Sequence, residues 1–96
     1  MVTLEAPESI VTGKPFEVSF RTESRVSGRL RLTAGTEAVD FTLVRDGREP
    51  VPGNGQRLRG KSGSFIVADW GEHAIGDELV LRFEGAKAWL RVVGAP

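Results

Sequence analysis

Residues 55–62, with the sequence GQRLRGKS, have the spacing of a phosphate-binding loop. In such a loop the phosphates are held by backbone amides and by the lysine, and a helix must begin directly after it. Here Pro- and Gly-rich sequence precedes the match, and residues 62–64 (SGS) followed by an apolar run come after it. Because this context predicts a strand rather than a helix, we interpret the match as fortuitous and expect no nucleotide site.

Five titratable side chains lie close together along the chain around two glycines: Asp69, Glu72, His73, Asp77 and Glu78. Calcium takes about six to eight oxygen ligands, but the spacing of these carboxylates matches no calcium loop. One histidine and no cysteine make a poor zinc site and exclude thiol catalysis. We therefore expect an acidic turn without a metal and no enzymatic activity, although calcium binding at residues 69–78 stays open.

Length and composition limit what the chain can be. With 96 residues, 40% hydrophobic residues and no cysteine, we expect a single domain over residues 1–96, without disulfides or cofactors. The 13 basic and 13 acidic side chains cancel, which gives no general reason to expect nucleic acid or a membrane as partner. No basic segment followed by an apolar stretch opens the chain, so we expect synthesis in the cytoplasm without an export signal.

Alternation of apolar and polar residues dominates the sequence and indicates half-buried strands. Gly, Pro, Asn and Asp separate the alternating runs and predict turns. The predicted strands are 2–5, 16–22, 29–34, 38–45, 56–60, 64–69, 78–84 and 87–93. Residues 46–55 contain Pro50 and Pro52 and are expected to form a mobile loop or a frayed edge. The fold class is therefore all-β, an antiparallel sandwich of seven or eight short strands.

One face of these strands supplies the expected hydrophobic core. Its members are Phe16, Val18, Phe20, Leu30, Leu32, Phe41, Leu79, Leu81, Phe83, Leu90 and Val92. A tryptophan at a strand end, Trp70, is expected to plug one end of this core.

The last hairpin predicts an exposed tryptophan. A two-residue turn at Gly85 and Ala86 pairs Arg82 with Trp89 and leaves one face of the hairpin wholly apolar. On the other face, Trp89 is then flanked by Arg82, Arg91 and Val80. Two interpretations remain open: Arg82 covers the indole in a cation–π pair, or the face is a partner-binding surface anchored by Trp89.

Basic side chains concentrate in the middle of the chain. Residues 21–61 carry nine basic and five acidic side chains, and Arg29, Arg31, Arg57 and Arg59 alternate with other residues on predicted strands. These four arginines form a possible patch for an anionic partner, or they are solvated charges that prevent edge-to-edge association. No aromatic residues are interleaved among them, so nucleic acid is not expected.

Residues 4–7 (LEAP) and 13–18 (GKPFEV) resemble the first two strands of bacterial and phage immunoglobulin-like, or fibronectin-III-like, domains. The resemblance covers about residues 4–20 and implies an immunoglobulin-like β-sandwich. The chain departs from that family in having no tyrosine for a tyrosine corner and no cysteines for an inter-sheet disulfide.

These observations favour a non-enzymatic structural and protein-binding module. The expected function is that of an accessory subunit docking onto a larger assembly, such as a decoration protein of a phage capsid or another virion part. Two alternatives are an immunoglobulin-like spacer or adhesion domain of a longer bacterial surface or periplasmic protein, and a carbohydrate-binding module. The last requires Trp70 and Trp89 to share an exposed platform. The partner and the oligomeric state stay open.

Overall fold

Residues 1–95 are described by a computed structural model, and within that range the secondary structure consists of strands and turns, without a helix. The all-β prediction is therefore confirmed. The strands are β1 (Val2–Glu5), β2 (Ser9–Val11), β3 (Phe16–Arg29), β4 (Arg31–Ala34), β5 (Glu37–Ala38), β6 (Thr42–Val44), β7 (Val51–Pro52), β8 (Arg57–Ala68), β9 (Glu78–Phe83) and β10 (Ala86–Val93).

These strands form two five-stranded sheets. The first sheet has the order β1-β3-β8-β6-β7 and the second has the order β2-β10-β9-β4-β5. All neighbours are antiparallel except β2, which runs parallel to β10. The chain crosses between sheets directly after β1, where Pro7 interrupts pairing, and the Glu8 carbonyl then accepts a 2.9 Å hydrogen bond from the Arg91 amide.

Side chains on the facing surfaces of the two sheets form one hydrophobic core. All eleven residues predicted for the core are buried, with Phe16 the most exposed of them at 9%. Trp70 is 2% exposed and belongs to the same core, as expected. Its indole Nε1 donates a 2.9 Å hydrogen bond to the carbonyl of Lys14, which satisfies the polar atom of this buried side chain.

The strand boundaries correct the sequence prediction of seven or eight strands. Residues 16–22 are only the first half of β3, and the predicted strands 56–60 and 64–69 are one continuous strand, β8. Conversely, the predicted strand 29–34 is divided, because the chain changes sheet at Leu30. The Leu30 amide donates to the carbonyl of Gln56, and the Leu30 carbonyl accepts from the amide of Gly55, so the crossing residue is fully hydrogen-bonded.

Residues 38–45 and 46–55 also differ from expectation. The former divides between β5 and β6, with Val39, Asp40 and Phe41 between the two strands. The latter includes the edge strand β7 and the structured residue Asn54, whose side chain bonds to the backbone of Leu32 and Val39 at 3.0–3.2 Å. Proline has no amide hydrogen to donate. An edge strand tolerates Pro52 because one of its sides needs no strand partner.

The predicted register of the last hairpin is wrong. The turn is at Glu84 and Gly85, whose φ angles of 48° and 83° fit a type I′ turn, which requires positive φ at both central positions. Trp89 consequently pairs with Val80 rather than Arg82, and Arg82 pairs with Lys87. Each β10 residue faces a β9 residue two positions earlier than predicted, so the division into an inner and an outer face is unchanged.

Truncation of Leu81 tests the core. Leu81 is fully buried in β9, so Leu81→Ala should lower the free energy of unfolding by about 2–5 kcal/mol, measured by urea denaturation. The matched control is Ile75→Ala, because Ile75 is 71% exposed and its truncation should cost less than about 0.5 kcal/mol. Equal losses in the two variants would place Leu81 outside the core.

Candidate protein-binding surfaces

The outer surface of the second sheet presents Trp89. We define the Trp89 face by the outward residues Val80, Arg82, Trp89 and Arg91 of β9 and β10. The indole is 59% exposed, whereas most other large apolar side chains of residues 1–95 are buried. Val80, which was expected to contribute to the surface, is only 6% exposed because it lies between its cross-strand neighbours Trp89 and Thr33. Trp89 is therefore the main apolar group that this face offers to a partner.

Arg82 is directed away from Trp89. Its Nη1 donates a 2.7 Å hydrogen bond to Oγ1 of Thr33. Thr33 belongs to β4, which flanks β9 on the side opposite β10. Since the register also separates Arg82 from Trp89, the geometry favours an open indole over one covered by this guanidinium.

Charges of both signs surround the indole. Trp89, Arg91 and Glu78 line a shallow depression of 270 Å³ together with Glu8 and Ser9. Arg91 pairs with Glu78 on one side and with Ser9 on the other. An exposed aromatic ring ringed by charged residues is the arrangement found at the centre of many protein interfaces.

The four arginines predicted as one patch are divided between the sheets. Arg29, Arg57 and Arg59 lie on the outer surface of the first sheet, whereas Arg31 follows the crossing at Leu30 and pairs with Arg82 in the second. Arg29 and Arg57 are also tied locally, by hydrogen bonds of 2.7 Å to the Gly55 carbonyl and 3.0 Å to Ser27 Oγ. The four arginines therefore do not form the single patch that the sequence predicted.

A different set of arginines shares a groove on the first sheet. We name it the arginine groove: it has a volume of 510 Å³, and its charged lining residues are Arg45, Arg48, Arg57 and Arg59. Partial burial, and secondarily the Arg48 guanidinium, lowers the pKa of Arg45 from its ordinary value. An arginine stays protonated in proteins despite such a shift, so the groove is cationic at neutral pH.

Sequence reasoning missed Arg45 and Arg48 as candidate site residues. Both lie after β6, in or beside a segment predicted as a mobile loop, and no periodicity relates them to Arg57 and Arg59. The only signal was the excess of basic residues over positions 21–61. The chain returns past β8 and so brings Arg45 and Arg48 close to Arg57 and Arg59. This proximity is a feature of the tertiary fold.

The residues that match a phosphate-binding loop lie largely within β8. Residues 57–62 are extended, and Lys61 and Ser62 are exposed on that strand. A phosphate-binding loop instead needs its amides at the start of a helix. The segment therefore lacks the local geometry on which that chemistry depends.

One acidic residue between β8 and β9, Asp77, stabilises the turn that precedes β9. Asp77 Oδ2 accepts a 3.1 Å hydrogen bond from the Ala74 amide. The His73 ring stacks on Trp70 at a centroid distance of 5.8 Å, and its Nε2 lies 3.2 Å from the Trp70 carbonyl. Over residues 1–95, no three His, Asp or Glu side chains converge in a way that would hold a metal ion. That part of the chain also contains no helix long and apolar enough to cross a membrane.

Comparisons with known proteins add little. No family model matches the chain, and no curated protein matches it. Among solved structures, the chain is similar to a superoxide reductase (neelaredoxin) from Ignicoccus hospitalis, with a TM-score of 0.42 and 15% sequence identity over 95% of this chain and 79% of that one. A likeness at this level establishes neither a shared fold nor a shared activity.

The extended conformation of residues 57–62 yields a prediction about nucleotides. ATP with magnesium should not shift the melting temperature of the protein, and Lys61→Ala should leave stability nearly unchanged because this side chain is exposed. Saturable micromolar binding of ATP that disappears in Lys61→Ala would contradict this assignment.

The different surroundings of the two tryptophans can be measured by fluorescence. Trp70→Phe leaves Trp89 as the single tryptophan, and Trp89→Phe leaves Trp70. Acrylamide should quench Trp89 efficiently and Trp70 weakly, because their exposures are 59% and 2%. Equal quenching in the two folded variants would contradict the placement of Trp89.

Proposed function

We propose that this protein is a non-enzymatic, immunoglobulin-like module that binds another protein through the Trp89 face. In this proposal it acts as an accessory subunit of a larger assembly, and a phage capsid or another virion part is the kind of assembly expected from the resemblance of its first two strands. The observation that carries the proposal is the 59% exposure of Trp89 on a regular sheet surface.

Strand order supports the immunoglobulin-like part of the proposal. Immunoglobulin sandwiches pair strands in the orders A-B-E-D and C-F-G. The first four strands of the first sheet, β1-β3-β8-β6, follow the A-B-E-D order by their sequence positions. In the second sheet, β4, β9 and β10 are neighbours in the order C-F-G, and β5 extends this sheet as the additional C′ strand does in variable-type domains.

Energetic reasons support Trp89 as the anchor. An exposed indole loses contact with water when a partner covers it, and tryptophan and arginine are the residues most enriched among interface hot spots. The indole lies on paired β-strands, so its backbone needs little reordering on binding. Charged groups at its edges, such as Arg91 and Glu78, provide the polar rim that such an anchor requires.

The alternatives differ in how well the structure accommodates them. A carbohydrate platform made of both tryptophans is not formed, because Trp70 is buried in the core. A spacer or adhesion domain of a longer surface or periplasmic protein uses the same fold, and it would need no hot spot at Trp89. The two remaining functions are therefore separated by testing whether Trp89 contacts a partner.

Site-specific photocrosslinking tests the contact directly. The photoreactive residue p-benzoylphenylalanine is introduced at Trp89 in the cells that make the protein, and the matched control carries it at Ile75, which is 71% exposed outside the Trp89 face. We expect a discrete crosslinked protein from the Trp89 position and not from Ile75. Mass spectrometry then identifies the partner for purification.

Binding of the purified partner measures the contribution of each residue. Trp89→Ala should weaken binding by about 2 kcal/mol or more, which is roughly 30-fold, while changing the free energy of unfolding much less. If Arg82 merely covered the indole, Trp89→Ala and Arg82→Ala would both lower stability by a few tenths to about 1 kcal/mol and leave binding intact. Unchanged affinity in both variants would exclude the Trp89 face as the contact with the partner.

A further inference from the structure

The arginine groove runs along a strand edge that lacks a strand partner. Strand β6 pairs with only three residues at the end of β8, Ile66, Val67 and Ala68. On the opposite edge, β3 pairs with β8 along most of its length. Within residues 1–95, no strand covers the β6-side edge of residues 57–65. Backbone amides and carbonyls there are available to another chain.

The groove combines a cationic rim with an apolar floor. Phe20, Leu58 and Phe65 line it from the core side, and the four arginines line it from the outer side. Along β8, Leu58 points inward while Arg57 and Arg59 point outward. A strand added beside β8 would show the same alternation, with every second side chain facing the arginines.

The groove arginines have no carboxylate partner in the structure. In residues 1–95, the ion pair within 4.0 Å is Arg21 with Glu5, on the β1 side of the first sheet. The groove therefore concentrates the positive charge of its four arginines, and no carboxylate of residues 1–95 forms an ion pair with them. Burial is the larger cause of the lowered pKa of Arg45, and repulsion from the Arg48 guanidinium adds to it. Carboxylates from outside the chain would relieve this repulsion.

We propose that the free edge of β8 binds an extended segment of a partner protein in which acidic and apolar residues alternate. The segment adds a strand to the first sheet through main-chain hydrogen bonds, as in other cases of β-strand addition. Its carboxylates face the four arginines, with which planar bidentate pairing is possible. Its apolar side chains lie on the core side of the groove, next to Phe20, Leu58 and Phe65.

The chemistry of the groove favours a peptide over a nucleic acid. Single-stranded nucleic acids are bound by arginines together with exposed aromatic rings on which bases stack. Here Phe20 and Phe65 are only 5% and 3% exposed, so their faces are not offered for stacking. An unpaired backbone edge, by contrast, is the feature that recognition of an extended peptide requires.

This site is separate from the one proposed above. The Trp89 face belongs to the second sheet and the arginine groove to the first, on the opposite outer surface of the molecule. A Trp89→Ala variant should therefore bind a groove ligand normally. Failure of either proposal leaves the other standing.

Fluorescence anisotropy with a defined peptide tests the inference on the intact chain. The probe is a labelled peptide of about nine residues alternating Glu and Val, long enough to span residues 57–65 of β8. We expect saturable binding, and no binding of a peptide alternating Lys and Val. A third peptide keeps the Glu-Val sequence but carries N-methyl groups on every second backbone amide, and it should bind at least about tenfold more weakly because methylation removes donors needed for strand addition.

Two double variants with equal loss of charge locate the site. Arg48→Gln combined with Arg59→Gln removes two exposed groove charges and should weaken binding of the Glu-Val peptide at least about tenfold. Lys14→Gln combined with Lys87→Gln removes two exposed charges outside the groove and should leave the affinity within about twofold. Circular dichroism confirms that both variants are folded.

Four results would overturn the inference. The first is no saturable binding of the Glu-Val peptide, and the second is equal binding of its N-methylated form, which would show that the β8 edge is not used. The third is an equal loss of affinity in both double variants, which would show that the overall charge of the protein, and not the groove, determines the affinity. A labelled oligothymidine that binds more tightly than the peptide, and loses that binding with Arg48 and Arg59, would assign the groove to nucleic acid instead.

Discussion

The pairing of β3 with β8 is the interaction on which the other features of the molecule depend. These are the two longest strands, and their register runs from Phe16 opposite Val67 to Arg29 opposite Arg57. The pairing directs Val18 and Phe65 into the core while it presents arginines to solvent on the other surface. It also occupies one edge of β8 and leaves most of the opposite edge open.

An irregularity within this pairing preserves both faces. The register shifts between Arg21 and Val26, and Gly60 on β8 has a φ of 124°, a conformation that residues with a Cβ rarely adopt. Beyond the shift, Gly28 and Leu58 are again buried, and Arg57 and Arg59 are again exposed. Without this adjustment, one end of the strand pair would turn its arginines toward the core, at a prohibitive cost in desolvation.

The crossing at Leu30 then separates the two chemically distinct surfaces. It takes the chain from the first sheet to the second, so that β4 provides Arg31 and Thr33 beside β9. Thr33 in turn accepts the hydrogen bond that draws Arg82 away from Trp89. The cationic groove and the exposed indole are consequently on opposite sides of one core.

Sequence alternation was sufficient to predict the core and the outward position of Trp89, because a period of two assigns each side chain to one face whatever the partner strand. It could not predict the crossing at Leu30, since Leu30 and Leu32 continue the alternation without interruption. The hairpin register was missed because Glu84 adopts a left-handed conformation with φ 48°, at a position where Asn or Gly is the usual signal. Arg45 and Arg48 were missed because residues distant in sequence meet there only through the path of the chain.

Residue-resolved amide hydrogen exchange of the free protein, followed by NMR, is the most direct test of the central claim that β8 is paired on one edge along most of its length. At Ile66 and Val67, strands flank both edges, and protection should extend through consecutive residues. Over residues 57–65, we predict that protected amides bonded to β3 alternate with rapidly exchanging amides directed to the open edge, apart from the irregularity at Gly60. Continuous strong protection of residues 57–65 would show that this edge is already covered and would contradict the account.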